Sequence, residues 1–188
     1  MKKTVILIIL LVVVLGAAGV IYGSLAGKFA PDEPISGAHG TTPAVKTTAD
    51  FTVTDGNGNE VKLSDNFGKP IVVNFWATWC PPCASELPHF DKAAAEYEGR
   101  VRFLMVDLTD GRRDTVEGAK AYVAEKGYAF PLYFDTESSG AIAYAVYSIP
   151  LTVFIDADGN VRASRIGAMD ETMLYGYIEE LLAGAENP

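Results

Sequence analysis

The chain has 188 residues, 24 acidic against 15 basic side chains, a formal net charge of −9, and only two cysteines and two histidines. An acidic balance of this size excludes a general grip on nucleic acid or anionic lipid, which needs a surplus of Lys and Arg. Two cysteines and two distant histidines, His39 and His89, also fall short of the roughly four ligands of a zinc site, so neither metal nor other cofactor is expected.

Lys2 and Lys3 precede a stretch from Thr4 to Gly27 without one charged residue, in which Val5–Val14 is built of Ile, Leu and Val. A bilayer is spanned by about 20 apolar residues, and the leading lysines place the N-terminus inside. A cleaved signal peptide ending near Ser24-Leu25-Ala26 is the alternative. The run exceeds the usual h-region of about 7–15 residues, so residues 1–27 are expected to be a retained signal-anchor, with the rest outside the cytoplasm. No cysteine follows the run, which excludes a lipid-modified terminus. Without Lys2 and Lys3 the exported part loses two positive charges from −9 and stands at −11, compatible with cationic protein substrates or simply with solubility. Residues 28–48, with Pro31, Pro34 and Pro43 and no apolar period, read as a flexible tether, with His39 solvated in it. Residues 49–188 suit one domain.

Phe51–Thr54 and Glu60–Leu63 are predicted short strands joined by Asp55-Gly-Asn-Gly-Asn59, a hairpin signal. Ser64 and Asp65 lead through Gly68-Lys69-Pro70 into Ile71–Trp76, a β-branched and aromatic run broken by one amide, which reads as a strand buried on both faces. Ala84–Tyr97, rich in Ala and Glu, predicts a helix, kinked where Pro88 leaves the Ala84 carbonyl without its donor. Strand Val101–Asp107, helix Arg112–Lys126 stopped by Gly127, strand Pro131–Asp135 and short helix Ser138–Tyr147 follow. Leu151–Ile155 is a strand turned by Asp156–Asn160 into Val161–Ile166. Asp170 caps the last helix, Asp170–Leu182, whose core face is Met173, Leu174, Tyr177, Ile178, Leu181 and Leu182. The alternation predicts an α/β sandwich on a mixed sheet.

Both cysteines stand at the junction of the buried strand and its helix, in Trp79-Cys80-Pro81-Pro82-Cys83. A sulfur at a helix N-terminus meets free amide protons and the positive dipole end, which favour the thiolate. The thiolate is the attacking species in disulfide exchange. An inert structural bridge is the bland alternative, but closing so small a loop removes little unfolded-state entropy.

This motif after a buried strand, with Ser148-Ile149-Pro150 opening another, resembles the thioredoxin superfamily, and implies a thioredoxin-like three-layer sandwich. The resemblance implies a cis Pro150 facing the cysteines, with Ile149 offering backbone hydrogen bonds to a bound peptide. The anchor and tether, the N-terminal β-hairpin, the helix-strand insertion Arg112–Asp135 and Glu86 are similar to the membrane-anchored reductases of the TlpA and ResA kind. Thioredoxin carries a buried aspartate six residues before its first active-site cysteine; here that place is Asn74, which cannot titrate, so another proton carrier is needed.

The implied activity is protein-disulfide reduction. Cys80 attacks a substrate disulfide and Cys83 resolves the mixed disulfide. Glu86, three residues after Cys83 and its neighbour on the helix, takes the resolving proton unless it is ordinary surface. Trp79 shields the site, Trp76 belongs to the core and His89 to the helix surface. The family implies exported substrates such as apocytochrome c and a transmembrane thiol–disulfide electron carrier as re-reducing partner. A thiol oxidant or isomerase of the same fold is the nearest rival. A peroxidase is disfavoured by C-x-x-C with a cis proline, and copper delivery lacks a placed His or Met.

Overall fold

The computed structural model describes residues 48–186. The expected anchor, residues 1–27, and all but the last residue of the tether lie outside the described residues. Among the described residues no helix is long and apolar enough to cross a membrane.

The sheet is built on β3 (Ile71–Trp76), every residue of which is buried. It pairs in parallel with β4 (Arg102–Asp107) and antiparallel with β6 (Leu151–Ile155). The other strands are β1 (Thr52–Asp55), β2 (Glu60–Lys62), β5 (Leu132–Phe134) and β7 (Val161–Ile166), and the sheet order is β2-β1-β5-β4-β3-β6-β7. Only the β3–β4 and β4–β5 pairings are parallel, so the sheet is mixed, as expected. β5 is the strand of the insertion; it joins the N-terminal hairpin to the central strands through its antiparallel pairing with β1.

Strand periodicity sends alternate side chains to opposite faces. From β3, Val72 and Trp76 enter a core shared with Leu87, Phe90, Leu174 and Ile178, while Ile71, Val73 and Phe75 enter a second core with Phe51, Leu63 and Val106. The first core lies under α1 (Pro81–Glu96) and α4 (Glu171–Glu186). Tyr144 and Val146, which follow the short α3 (Ser139–Ala143), pack on the second. Trp76 is fully buried, its ring 5.8 Å from that of Tyr122 and 6.3 Å from that of Phe130, which makes it core, as read.

Several boundaries move. α1 begins at Pro81, not Ala84, because Pro is accommodated in a helix's first turn, where its missing N–H is an orphan anyway, and the helix runs on through Pro88. Leu63 leaves the hairpin for a 3-10 turn, Leu63–Asn66. The helix read from Arg112 is α2 (Val116–Lys126), capped by Thr115 and closed by Gly127 at φ 72°. Asp110 is the reason: its Oδ1 accepts the amides of Arg112, Arg113 and Asp114 at 2.8, 2.7 and 3.1 Å, holding them in a turn of their own. α3 stops at Ala143, since Ala145 takes the left-handed conformation at φ 47°. α4 is longer than read and reaches Glu186. Asp170 accepts the amide of Met173 at 2.8 Å, as the capping argument required. On its inner face Leu174, Ile178 and Leu181 are buried, with Met173, Tyr177 and Leu182 packed partly against them.

Candidate active site

β3 delivers the chain through Ala77, Thr78 and Trp79 to Cys80, which is the N-cap of α1 in extended conformation. Cys80 and Cys83 are joined as a disulfide. Both are buried, at 4% and 0% exposure, so access to the sulfurs is from the Cys80 side. The Cys83 amide points at Cys80 Sγ at 3.2 Å. It is the only amide that can do so from the first turn, because Pro81 and Pro82 carry none.

The Ile149–Pro150 peptide bond is cis, in the form that the resemblance implied for it. The Ile149 carbonyl oxygen lies 3.8 Å from Cys80 Sγ. A disulfide sulfur carries no proton, so this is a contact in the oxidised pair and becomes a hydrogen bond only from a thiol. Trp79 is 42% exposed, with the Arg113 guanidinium 3.9 Å above its ring. Trp79, Arg113, Tyr147 and Ile149 border a shallow groove of ≈ 280 Å³ beside Cys80. Cys80 thus touches the Ile149 carbonyl, and Ile149 and Trp79 line one groove, with Pro150 buried directly after Ile149.

Glu86 is not ordinary surface: it is fully buried. The β3–β6 register sets Asn74 opposite Thr152, and Asn74 Nδ2 donates both to Thr152 Oγ1 at 3.0 Å and to Glu86 Oε1 at 2.8 Å. Glu86 Oε2 accepts the backbone amide of Met169 at 2.9 Å. Burial pushes the Glu86 carboxyl up from its ordinary 4.5 to about 7, against the opposing pull of Asn74, the Met169 amide and the Arg165 charge. The amide that cannot titrate and the carboxyl that can are thus directly bonded. His89 sits half-buried on α1, with Nδ1 4.0 Å from Glu171 Oε2, away from this network.

Three contacts were not legible in the sequence. The Met169 amide is backbone and leaves no side-chain signal. Arg113 over Trp79 was hidden by assigning Arg112–Lys126 to a helix. The buried acid Asp114 holds Thr78 while the buried Asp107 stands in register with Trp76, and their only sequence signal is a carboxylate closing the apolar run of β4. Among the described residues, no group of three or more His, Cys, Asp or Glu stands where it could hold a metal ion.

After reduction, limited alkylation of the full-length protein is expected to modify Cys80 before Cys83, since Cys83 is wholly enclosed while Cys80 keeps a little exposure at the start of α1. Mass mapping that finds Cys83 modified first would reverse the two assignments.

Residues 45–164 match the AhpC/TSA family. A thiol-disulfide oxidoreductase ResA of Bacillus anthracis is 30% identical over 184 residues, 96% of this chain and 99% of that protein. A secreted Mycobacterium tuberculosis disulfide oxidoreductase homologous to E. coli DsbE superposes with TM-score 0.62 and 28% identity over 70% of this chain and 96% of that one. A thioredoxin-family thiol:disulfide interchange protein of Chlorobium tepidum TLS does so with TM-score 0.63 and 26% identity, over 75% and 99%.

Proposed function

Because this chain belongs to the AhpC/TSA family and is a thioredoxin-like thiol–disulfide oxidoreductase, we propose that it works outside the cytoplasm as a reductant of disulfides in exported proteins. The observation that carries the direction is the buried Glu86 carboxyl on the helix of Cys83, bonded to Asn74 and the Met169 amide.

Electrons and protons balance as follows. The Cys80 thiolate attacks one sulfur of the substrate disulfide; the substrate S–S bond breaks and its other sulfur leaves as a thiolate. Cys83 then loses its proton to Glu86 and attacks Cys80 Sγ. The Cys80–substrate bond breaks, the second substrate thiol is freed, and the Cys80–Cys83 disulfide remains. The substrate has gained two electrons and the enzyme has lost them. A thiol with an ordinary pKa near 8.5 is a poor nucleophile, and a base whose pKa lies near neutrality is suited to take its proton. Groove access, the Ile149 carbonyl beside Cys80 and the exposed face of Trp79 support binding of an extended segment at Ile149–Pro150. Apocytochrome c is one such substrate by family likeness, and a membrane-embedded dithiol carrier is the partner that would restore Cys80 and Cys83 to thiols.

Direction is tested by potential. Only one amide from the first turn reaches the Cys80 sulfur, Pro81 and Pro82 supply none, and a carboxylate on the same helix repels the anion, so the thiolate is weakly stabilised, which favours the disulfide form. Equilibration against a glutathione or dithiothreitol series is expected to give a value nearer about −270 mV than about −120 mV. A value above roughly −180 mV, in the isomerase range, overturns the reductant and supports the oxidising or isomerising rival.

Location is tested separately. The uncharged run Thr4–Gly27 behind Lys2 and Lys3 supports a retained anchor with the redox domain outside. N-terminal sequencing of the native protein is expected to begin at Met1 or Lys2; a start near Gly27 converts the anchor into a signal peptide.

A further inference from the structure

Two buried acids outside the exchange machinery, one closing β4 and one in the loop after it, stand near the segment that feeds it. Asp107 closes β4 and is wholly buried, and Asp114 is 2% exposed. Both oxygens of Asp114 are engaged by one residue: Oδ2 accepts the Thr78 amide at 2.7 Å and Oδ1 accepts the Thr78 hydroxyl at 2.8 Å. Thr78 is two residues before Cys80, between the end of β3 and the start of α1. Asp114 therefore clamps the loop that presents Trp79 and sets where Cys80 meets the helix.

Asp107 neighbours this clamp. Its Oδ1 accepts the Thr109 hydroxyl at 2.7 Å, while its Oδ2 is buried without a partner. An ionised oxygen in that position is costly; a protonated one becomes a donor toward Asp114. The charged surroundings argue the same way. Asp110 and Asp114 approach from the following loop, and the Asp135 carboxyl, just after β5, turns away to the Gly140 and Ala141 amides. Of the cations nearby, Arg113 is spent on Asp110 and Trp79, and Lys120 on the Gly56 carbonyl and the Phe134 ring.

We propose that Asp107 is a positioning residue for disulfide exchange: as a neutral acid it donates to Asp114 and so keeps Asp114 locked on Thr78, and on ionising it repels Asp114 and loosens the loop that carries Trp79 and Cys80. Burial first, then the neighbouring Asp114 and Asp110 charges, push the Asp107 carboxyl up to about 8. The clamp is accordingly set at neutral pH and relaxes in mild alkali, the direction in which cysteine thiolates themselves appear.

The test separates this from cysteine chemistry and from the reductant reading, because it is made on the oxidised full-length protein without substrate, where neither cysteine titrates. A carbon-13 NMR titration in detergent follows the Asp107 carboxyl, and proton resonances follow the Thr78 amide and the Trp79 indole. Asp107 is expected to ionise at about pH 8, with the Thr78 amide shifting at the same midpoint and its hydrogen exchange rising roughly threefold beyond the ordinary base-catalysed trend. Asp107→Asn, which still donates but cannot ionise, is expected to abolish the Thr78 transition. An Asp107 carboxyl already ionised at about pH 6, a Thr78 amide that ignores the Asp107 titration, or a transition that survives Asp107→Asn overturns the proposal. Should Asp107→Asn not fold, the wild-type titration alone decides. If the loop titrates as expected while the measured potential is that of an oxidant, the positioning role stands and the reductant reading falls.

Discussion

Glu86→Gln is expected to slow resolution of the mixed disulfide by about 10²–10⁴-fold, the range of a general base, while leaving the first attack by Cys80 nearly unchanged. The substitution suits the site. Gln keeps one acceptor for the Met169 amide, and its new amide donor can face Asn74 Oδ1, which is buried and unpartnered, once the Asn74 side chain turns over. The loss is therefore of the titrating proton and not of the packing. In stopped-flow mixing with a disulfide-bearing substrate, the covalent complex through Cys80 should accumulate and decay slowly. The pH profile of resolution should lose its inflection near 7, where the Glu86 carboxyl titrates. Wild-type resolution with an unchanged profile would reduce Glu86 to a structural acid.

The same substitution has a stability signature of definite sign. Glu86 binds its proton more tightly folded, at about 7, than at its ordinary 4.5. The wild type is therefore most stable below the lower value, loses stability as pH rises between the two, and stays lower above the upper one. The loss amounts to roughly 3 kcal/mol. Glu86→Gln should remove this slope, so that on going from acid to alkali it keeps the stability that the wild type loses.

Asn74→Asp is expected to be the most damaging change at the site above neutrality. It sets a second carboxyl within the 2.8 Å that now separates Asn74 Nδ2 from Glu86 Oε1, both residues being without solvent exposure. One shared proton satisfies such a pair; two charges do not. At about pH 5 the variant should unfold in urea close to wild type. At about pH 9 it should lose about 3–5 kcal/mol, the scale for an uncompensated buried charge, which lowers the midpoint by about 1–3 M. An equal midpoint difference at both pH values would show that the site is not closed to solvent. In the Glu86→Gln background, Asn74→Asp returns a titrating carboxyl to the network and should recover part of the resolution rate. A non-titrating hydrophobic substitution there, Asn74→Leu, should not.

How far the sequence reached follows from the range of the interactions involved. The strand Ile71–Trp76, the redox pair at its end, the mixed α/β sandwich and the cap at Asp170 are fixed by neighbours in the chain: apolar period, β-branched content, helix-start chemistry and the C-x-x-C spacing. These signals act over a few residues and survive any reasonable packing. The misplaced starts of α1 and α2 come from the same local scale. Ala and Glu content marks α1 only from Ala84, whereas its first turn also accommodates Pro81 and Pro82, and the Asp110 turn lies within the stretch that reads as helix from Arg112.

Tertiary structure alone decided what Glu86 and Asp107 are. A glutamate three residues after Cys83 has the same local sequence whether it faces water or core. Packing of α1 on β3 and β6, with Met169 brought in from before α4, removes its water and gives it Asn74 and a backbone amide instead. Likewise Asp114 is seven residues from Asp107 along the chain, yet only the return of that loop under Thr78, which it grips from 36 residues away, turns two acids into a clamp. Proton affinity is set by desolvation and by neighbours distant in sequence, so the chain order could name the carboxyls but not say which of them hold a proton.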